Sequence, residues 1–167
     1  MGTTKSKGDS YLKRLIEEGL NRTSVTAVLI GQGTAHRRWV NYEIVKSFER
    51  GNGIFGVHIN RIRGKDGFIV SRGANPFDRL GFKVSEEGKK VNFYELKNPK
   101  WVEFDDLPQI NNKKSNTLYF HDSFWFGNDY GEFHTFSQKF KTYCWDFNGG
   151  NKNFIHWVDD AAKEAGR

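Results

Sequence analysis

The chain of 167 residues contains one cysteine, Cys144, one methionine and three prolines. A single cysteine excludes an intrachain disulfide framework and any Cys-rich zinc or iron–sulfur site. No apolar run approaches the ~20 residues of a membrane-spanning helix. The polar, Lys-containing N-terminus lacks the apolar core of a signal peptide. These absences predict a soluble, cytoplasmic chain without a membrane partner, in which the Asn21-Arg22-Thr23 sequon carries no meaning. Internal repeats are also missing. The five histidines (His36, His58, His121, His134, His156) show no metal-ligand spacing, so no metal site is expected.

Rings are abundant instead. Phe, Tyr and Trp make up 16% of the chain, with 15 Phe alone, which predicts a core of packed aromatics. The length suits one domain with a core of its own. A net charge of +6 favours anionic partners such as nucleotide phosphates, nucleic acid or acidic proteins. The cations are scattered as pairs (Arg37-Arg38, Lys89-Lys90, Lys113-Lys114) and form no long tract. A solvated surface explains them equally well.

Residues 1–8 read as a flexible tail and 9–167 as a single domain. Asp9 or Ser10 can cap a helix carrying Leu12, Leu15, Ile16 and Leu20 on one face. The β-branched run from Ser24 to Ile30 reads as a strand buried on both faces of a parallel sheet. The loop Gly31 to Arg38 follows at its C-terminal end, where open α/β sheets bind ligands. Trp39 to Arg50 reads as a helix whose Val40, Ile44 and Phe48 face the sheet, and Ile54 to Ile59 as the next strand. This α-β-α-β order predicts an α/β fold of the doubly wound kind.

The middle differs. After a Gly-rich loop over residues 60–81, Phe82–Val84, Val91–Leu96 and Trp101–Phe104 alternate between turns. They predict a small antiparallel meander, with a β-rich insertion over about residues 82–118. Gln109–Asn116 reads as exposed, and Leu118–Phe136 has no clear state. Lys141–Phe147 reads as a last strand and Asn153–Ala165 as a last helix.

Trp39 and Glu43 stand one helical turn apart, just after the Gly31–Arg38 loop. A carboxylate, a flat ring and the amides of a helix N-terminus around one crevice suit a dinucleotide. A fixed carboxylate stabilises the positive charge that develops on ribose when an N-glycosidic bond breaks. The spacing equally fits a Glu43 that only favours the helix dipole and a Trp39 packed under the loop. Gly31-Gln32-Gly33 is a lone GxG without the rest of a dinucleotide fingerprint. Thr34 can donate to a phosphate or simply cap. His58 lies in an apolar strand and reads as a satisfied core residue. His121-Asp122-Ser123 are too close in sequence to converge as a triad. Cys144 falls within a strand and reads as inert.

The runs TSVTAVLIGQGTAHRRWVNYEIVKSFERGNGIFGVHI, GANPFDRLGF, WVEFDDLP and YCWDF, with the C-terminal GGNKNFIHWVDDAAKEAG, together resemble one family. They are similar to the TIR-like domains of the MTH538/DUF1863 family, which includes the ThsB-type TIR proteins of the Thoeris anti-phage system. The resemblance extends from about residue 8 to the C-terminus. It implies a flavodoxin-like TIR fold that uses NAD as substrate, not as bound cofactor. It further implies release of nicotinamide and conversion of ADP-ribose into a signalling nucleotide that activates an effector partner after phage infection, with a phage protein as trigger. It places the catalytic glutamate at Glu43 and its tryptophan at Trp39. Substrate contacts are expected at Trp39, Gly31, Gln32, Thr34 and Arg38.

Family members begin with two further strands, whereas only eight residues here precede the first expected helix. The Ser24–Ile30 strand is then expected to present a flat apolar edge. A second copy of the chain or the aromatic insertion is expected to cover it, or nothing covers it stably. Two other readings stay open: a non-catalytic TIR-like sensor or assembly module, and a basic nucleic-acid binder using stacking and phosphate contacts.

Overall fold

The computed structural model describes residues 3–112 and 130–167. The His121-Asp122-Ser123 cluster and most of the Leu118–Phe136 segment lie outside the described residues. In chain order the elements are helix α1 (Thr3–Leu20), strand β1 (Val25–Ile30), helix α2 (Arg38–Glu49) and strand β2 (Gly53–His58). Strands β3 (Leu80–Val84), β4 (Lys90–Lys97), β5 (Lys100–Glu103), β6 (Gln109–Asn111), β7 (Phe133–Thr135) and β8 (Thr142–Cys144) follow, then helix α3 (Gly150–Glu164).

The strands form two sheets. Sheet A is parallel, in the order β1-β2-β8, with Val25 opposite Gly53 and Ile30 opposite His58. Sheet B is antiparallel, in the order β5-β4-β3-β7, with β6 also on β4. The expected α/β architecture with an antiparallel meander is therefore present. The meander opens at Leu80, two residues before the expected start, and takes in Gln109–Asn111, expected to be exposed. Ile110 is the reason, since it is buried against sheet B and pairs with Val91.

α1 begins at Thr3, so the segment expected as a tail is helical from there. Asp9 does not cap this helix, because its carboxylate accepts a hydrogen bond from Arg38 at 2.8 Å. Gly8 inside the helix costs only about 1 kcal/mol relative to alanine.

Phe48 on α2 organises the larger core. Its ring meets Phe82, Phe93, Phe136 and Phe140 at centroid distances of 5.2, 5.6, 5.3 and 6.0 Å. α2 is thereby held between sheet A and sheet B. On the other face of sheet A, Phe55 and Val57 pack on Trp157 and Ala161 of α3, with Tyr143 stacked flat on Trp157 at 4.3 Å. Gly53 permits this contact, because a Cβ there would strike the Ala161 carbonyl of α3.

β2 is buried throughout, but β1 is not buried on both faces as expected. Thr26, Val28 and Ile30 point into the α2 side, while Leu29 on the opposite side is 54% exposed. The outer edge of β1 has no strand partner among the described residues. Among the described residues the strands of the insertion do not cover it; Phe82 and Phe93 pack on Phe48 of α2 instead. Among the described residues no helix is long and apolar enough to cross a membrane.

Candidate functional site

The loop from β1 to α2 is closed by its own side chains. Thr34 Oγ1 accepts the Gly31 N–H at 2.9 Å and donates to the Leu29 carbonyl at 3.4 Å. Gly73 cannot gain a side chain, since a Cβ there would strike the Gly31 carbonyl. Gln32 is exposed.

Arg38 opens α2 and is fully engaged. Its Nε and Nη2 form a fork on the Asp106 carboxylate at 2.8 and 2.7 Å, and Nη1 donates to Asp9 at 2.8 Å. The same guanidinium lies 4.5 Å from the centre of the Trp39 ring. The two carboxylates, Asp106 first, hold the Arg38 pKa above the ordinary arginine value. Lys13 of α1 adds a second cation to Asp106 at 3.0 Å. Asp106 is nearly buried, and the Arg38 fork holds its carboxyl below the usual aspartate range against the opposing effect of burial. Trp39 also meets Tyr42 edge-on at 6.1 Å. Tyr42 in turn donates to Glu17 of α1 at 2.7 Å.

Glu43 lies one turn beyond Trp39 and has a different environment. It lines a groove of about 400 Å³ along the open edge of β1. Leu15, Ile16 and Gly19 of α1 form one wall, and Val25, Thr26 and Ala27 of β1 the other. The Thr26 hydroxyl there is held by Ser47 at 2.9 Å and by Asn52 at 3.4 Å. Burial pushes the Glu43 carboxyl above its ordinary value. Among the described residues it makes no hydrogen bond or ion pair. A half-buried carboxylate without a partner costs stability, a common signature of a working group.

The structure thus separates residues that the sequence placed around one crevice. Glu43 faces the β1 groove. Gly31 lines another cavity at the end of the sheet. Thr34 and Arg38 are committed to the loop and to the α1–α2 contact. Trp39 packs between Arg38 and Tyr42. His58 is buried as expected but not satisfied: neither ring nitrogen has a hydrogen-bond partner among the described residues. Burial first, and the Arg72 charge second, push its pKa down, which keeps the ring neutral. Asp106 escaped the sequence reading, because nothing local marks a carboxylate that meets an arginine 68 positions away.

Comparison with known proteins adds to this geometry. The family model described as Thoeris protein ThsB, TIR-like domain, matches residues 2–63, from α1 through β2. A protein of Bacillus cereus (strain MSX-D12), which carries the provisional name cyclic ADP-D-ribose synthase ThsB1, is 43% identical over 157 residues. That alignment takes in 93% of this chain and 76% of the relative. The chain belongs to the TIR-like ThsB family of Thoeris proteins.

Proposed function

We propose that this chain cleaves NAD at the nicotinamide–ribose bond and converts the remaining ADP-ribose into a signalling nucleotide, with Glu43 as the catalytic carboxylate. The observation that carries the reading is the unpartnered, half-buried Glu43 carboxylate in the β1 groove. The provisional name of the Bacillus cereus relative supports cyclic ADP-ribose as the class of product.

The chemistry follows from the groove. The bond between C1′ of the ribose and the pyridinium nitrogen breaks, and nicotinamide leaves as a neutral molecule with the bonding pair. Positive charge then develops on the ribose ring. An ionised carboxylate within reach stabilises that charge in the transition state. The apolar wall of Leu15 and Ile16 limits hydration of the carboxylate and so strengthens this interaction. A nucleophile next closes on C1′. Water gives ADP-ribose and a proton; a ring nitrogen of the adenine gives a cyclic product.

Two coarser features complete the proposal. The open edge of β1 suits pairing with a second copy of the chain, and the nucleotide product would carry the signal to a separate effector in the cytoplasm, downstream of a phage trigger. Incubation with NAD, followed by separation and mass measurement of the products, tests the reading. Nicotinamide together with a product lighter than ADP-ribose by one water supports the cyclase course. Unchanged NAD over a folded protein, with and without phage-infected lysate, sinks the proposal.

A further inference from the structure

His58 is a buried titratable group that the chemistry of the Glu43 groove does not use. It closes β2 at 2% exposure, between Ile30 of β1 and Cys144 of β8 in the sheet register. Neither Nδ1 nor Nε2 has a hydrogen-bond partner among the described residues, and the buried Oδ1 atom of Asn60 has none either. Such orphans in a native interior call for a physical reason, because each loses its water without gaining a bond.

Residues 60–74 form a strap at this end of the sheet. The strap leaves β2 at Ile59, whose N–H donates to the Ile30 carbonyl at 3.1 Å. It runs out as a loop closed by the Val70 N–H on the Asn60 carbonyl at 3.1 Å. It returns at Gly73, where a Cβ would strike the Gly31 carbonyl, one residue beyond the Ile30–His58 pair. Asn75 fixes the far end, donating from Nδ2 to Thr142 Oγ1 of β8 at 3.2 Å. Phe77 follows, fully buried and packed on Phe140. Between these anchors every residue from 61 to 72 is exposed. A segment with so few buried contacts opens at low free-energy cost.

The charges that act on His58 are divided between the strap and its anchor. Arg72, which opposes an imidazolium, lies on the exposed stretch ahead of Asn75. Asp78, which favours one, lies past that anchor, next to buried Phe77. Opening of the strap admits water to the ring and carries Arg72 away, while Asp78 stays. We infer that the strap is a proton-operated switch: protonation of His58 releases residues 60–74 from the end of sheet A. In the closed form burial first, and Arg72 second, keep the ring neutral. In the open form water restores the ordinary histidine value of 6.5. The closed form is therefore fully favoured above pH 6.5 and loses ground as pH falls, until the lower titration of the closed form is reached. The open population rises by up to about tenfold between about pH 7.5 and about pH 5.5. Neither His58 nor the strap lines the Glu43 groove, so the inference stands apart from NAD cleavage.

Amide hydrogen exchange of the full chain, corrected for the intrinsic pH dependence of exchange, tests it. Protection of the Val70 amide falls several-fold, up to about tenfold, from about pH 7.5 to about pH 5.5, while amides within α3 keep theirs. His58→Gln removes this response. Arg72→Gln, on the exposed stretch, reduces it, and serves as the readout should the buried variant fail to fold. NMR titration of the His58 ring in the wild type gives an independent measure. A midpoint below the ordinary value supports the inference, and an ordinary midpoint with Val70 still protected overturns it. Unchanged Val70 protection in acid overturns it too, as does an equal fall in His58→Gln. Loss of α3 protection in step with Val70 means global unfolding and overturns the switch.

Discussion

Asp106→Asn removes one charge from the junction of α1, α2 and the turn between β5 and β6, while keeping the shape of the side chain. In the native protein that carboxylate accepts two bonds from Arg38 and meets Lys13 at 3.0 Å, with only 7% of its side chain exposed. Hydrogen bonds to charged groups contribute about 1.5–3 kcal/mol each. Water reaches the cation ends, since Arg38 is 47% and Lys13 31% exposed, so the lower end of that range applies to each. Arg38 also keeps Asp9. The expected loss is about 2–4 kcal/mol, read as a shift in the urea midpoint at constant slope. The pH dependence supplies a second check. The Asp106 carboxyl is held below its ordinary value, so its contribution is fully present above pH 3.8 and disappears as pH falls through the lower native titration. Wild type and variant therefore converge in acid. A loss under about 0.5 kcal/mol at neutral pH, or a difference that persists unchanged into strong acid, refutes the reasoning.

Glu43→Gln is expected to stabilise the fold at neutral pH. Burial raises the Glu43 pKa, so the ionised form costs native stability above the ordinary glutamate value. The variant equals wild type below about pH 4 and gains on it as pH rises, which thermal unfolding at several pH values measures. Phe48→Ala opens a cavity among four phenylalanine rings. It should cost about 3–5 kcal/mol, or about 2–4 °C of Tm per kcal/mol. A Tm within a degree of wild type would show that the rings close over the gap.

Much of the frame was legible because it rests on local patterns. The run from Val25 to Ile30 is too short and too β-branched for a helix, and Gly31 ends it. Val40, Ile44 and Phe48 recur at helical spacing and do face the core. Alternation between turns at residues 86–88 and 98–99 gave the meander. The misses came from contacts made at long range. Ile110 joins a sheet through a partner strand that nothing beside it announces. The helix reaches back to Thr3, while Asp9 turns to Arg38.

The site was legible in part for the same reason. Trp39 and Glu43 are four apart on one helix, so spacing alone placed them one turn apart. Whether Gly31 opens toward Glu43 depends on how β1, α1 and the 59–70 loop meet, and no local pattern encodes that. Arg38 was expected to contact substrate, and its sequence neighbours hide the Asp106 and Asp9 carboxylates that occupy it. The candidate residues were drawn around one crevice, and the structure places Glu43 in a groove, Gly31 at a cavity, Thr34 in its own loop, and Arg38 with Trp39 at a structural ion-pair cluster.

The most direct test of the account is the rate of nicotinamide release from NAD by wild type and Glu43→Gln, measured side by side on proteins shown to be folded by circular dichroism. The account predicts release by wild type and a loss of at least about a hundredfold in the variant, equivalent to ~2.7 kcal/mol of transition-state stabilisation. Equal rates in the two proteins would contradict it, because the unpartnered carboxylate would then have no part in breaking the bond.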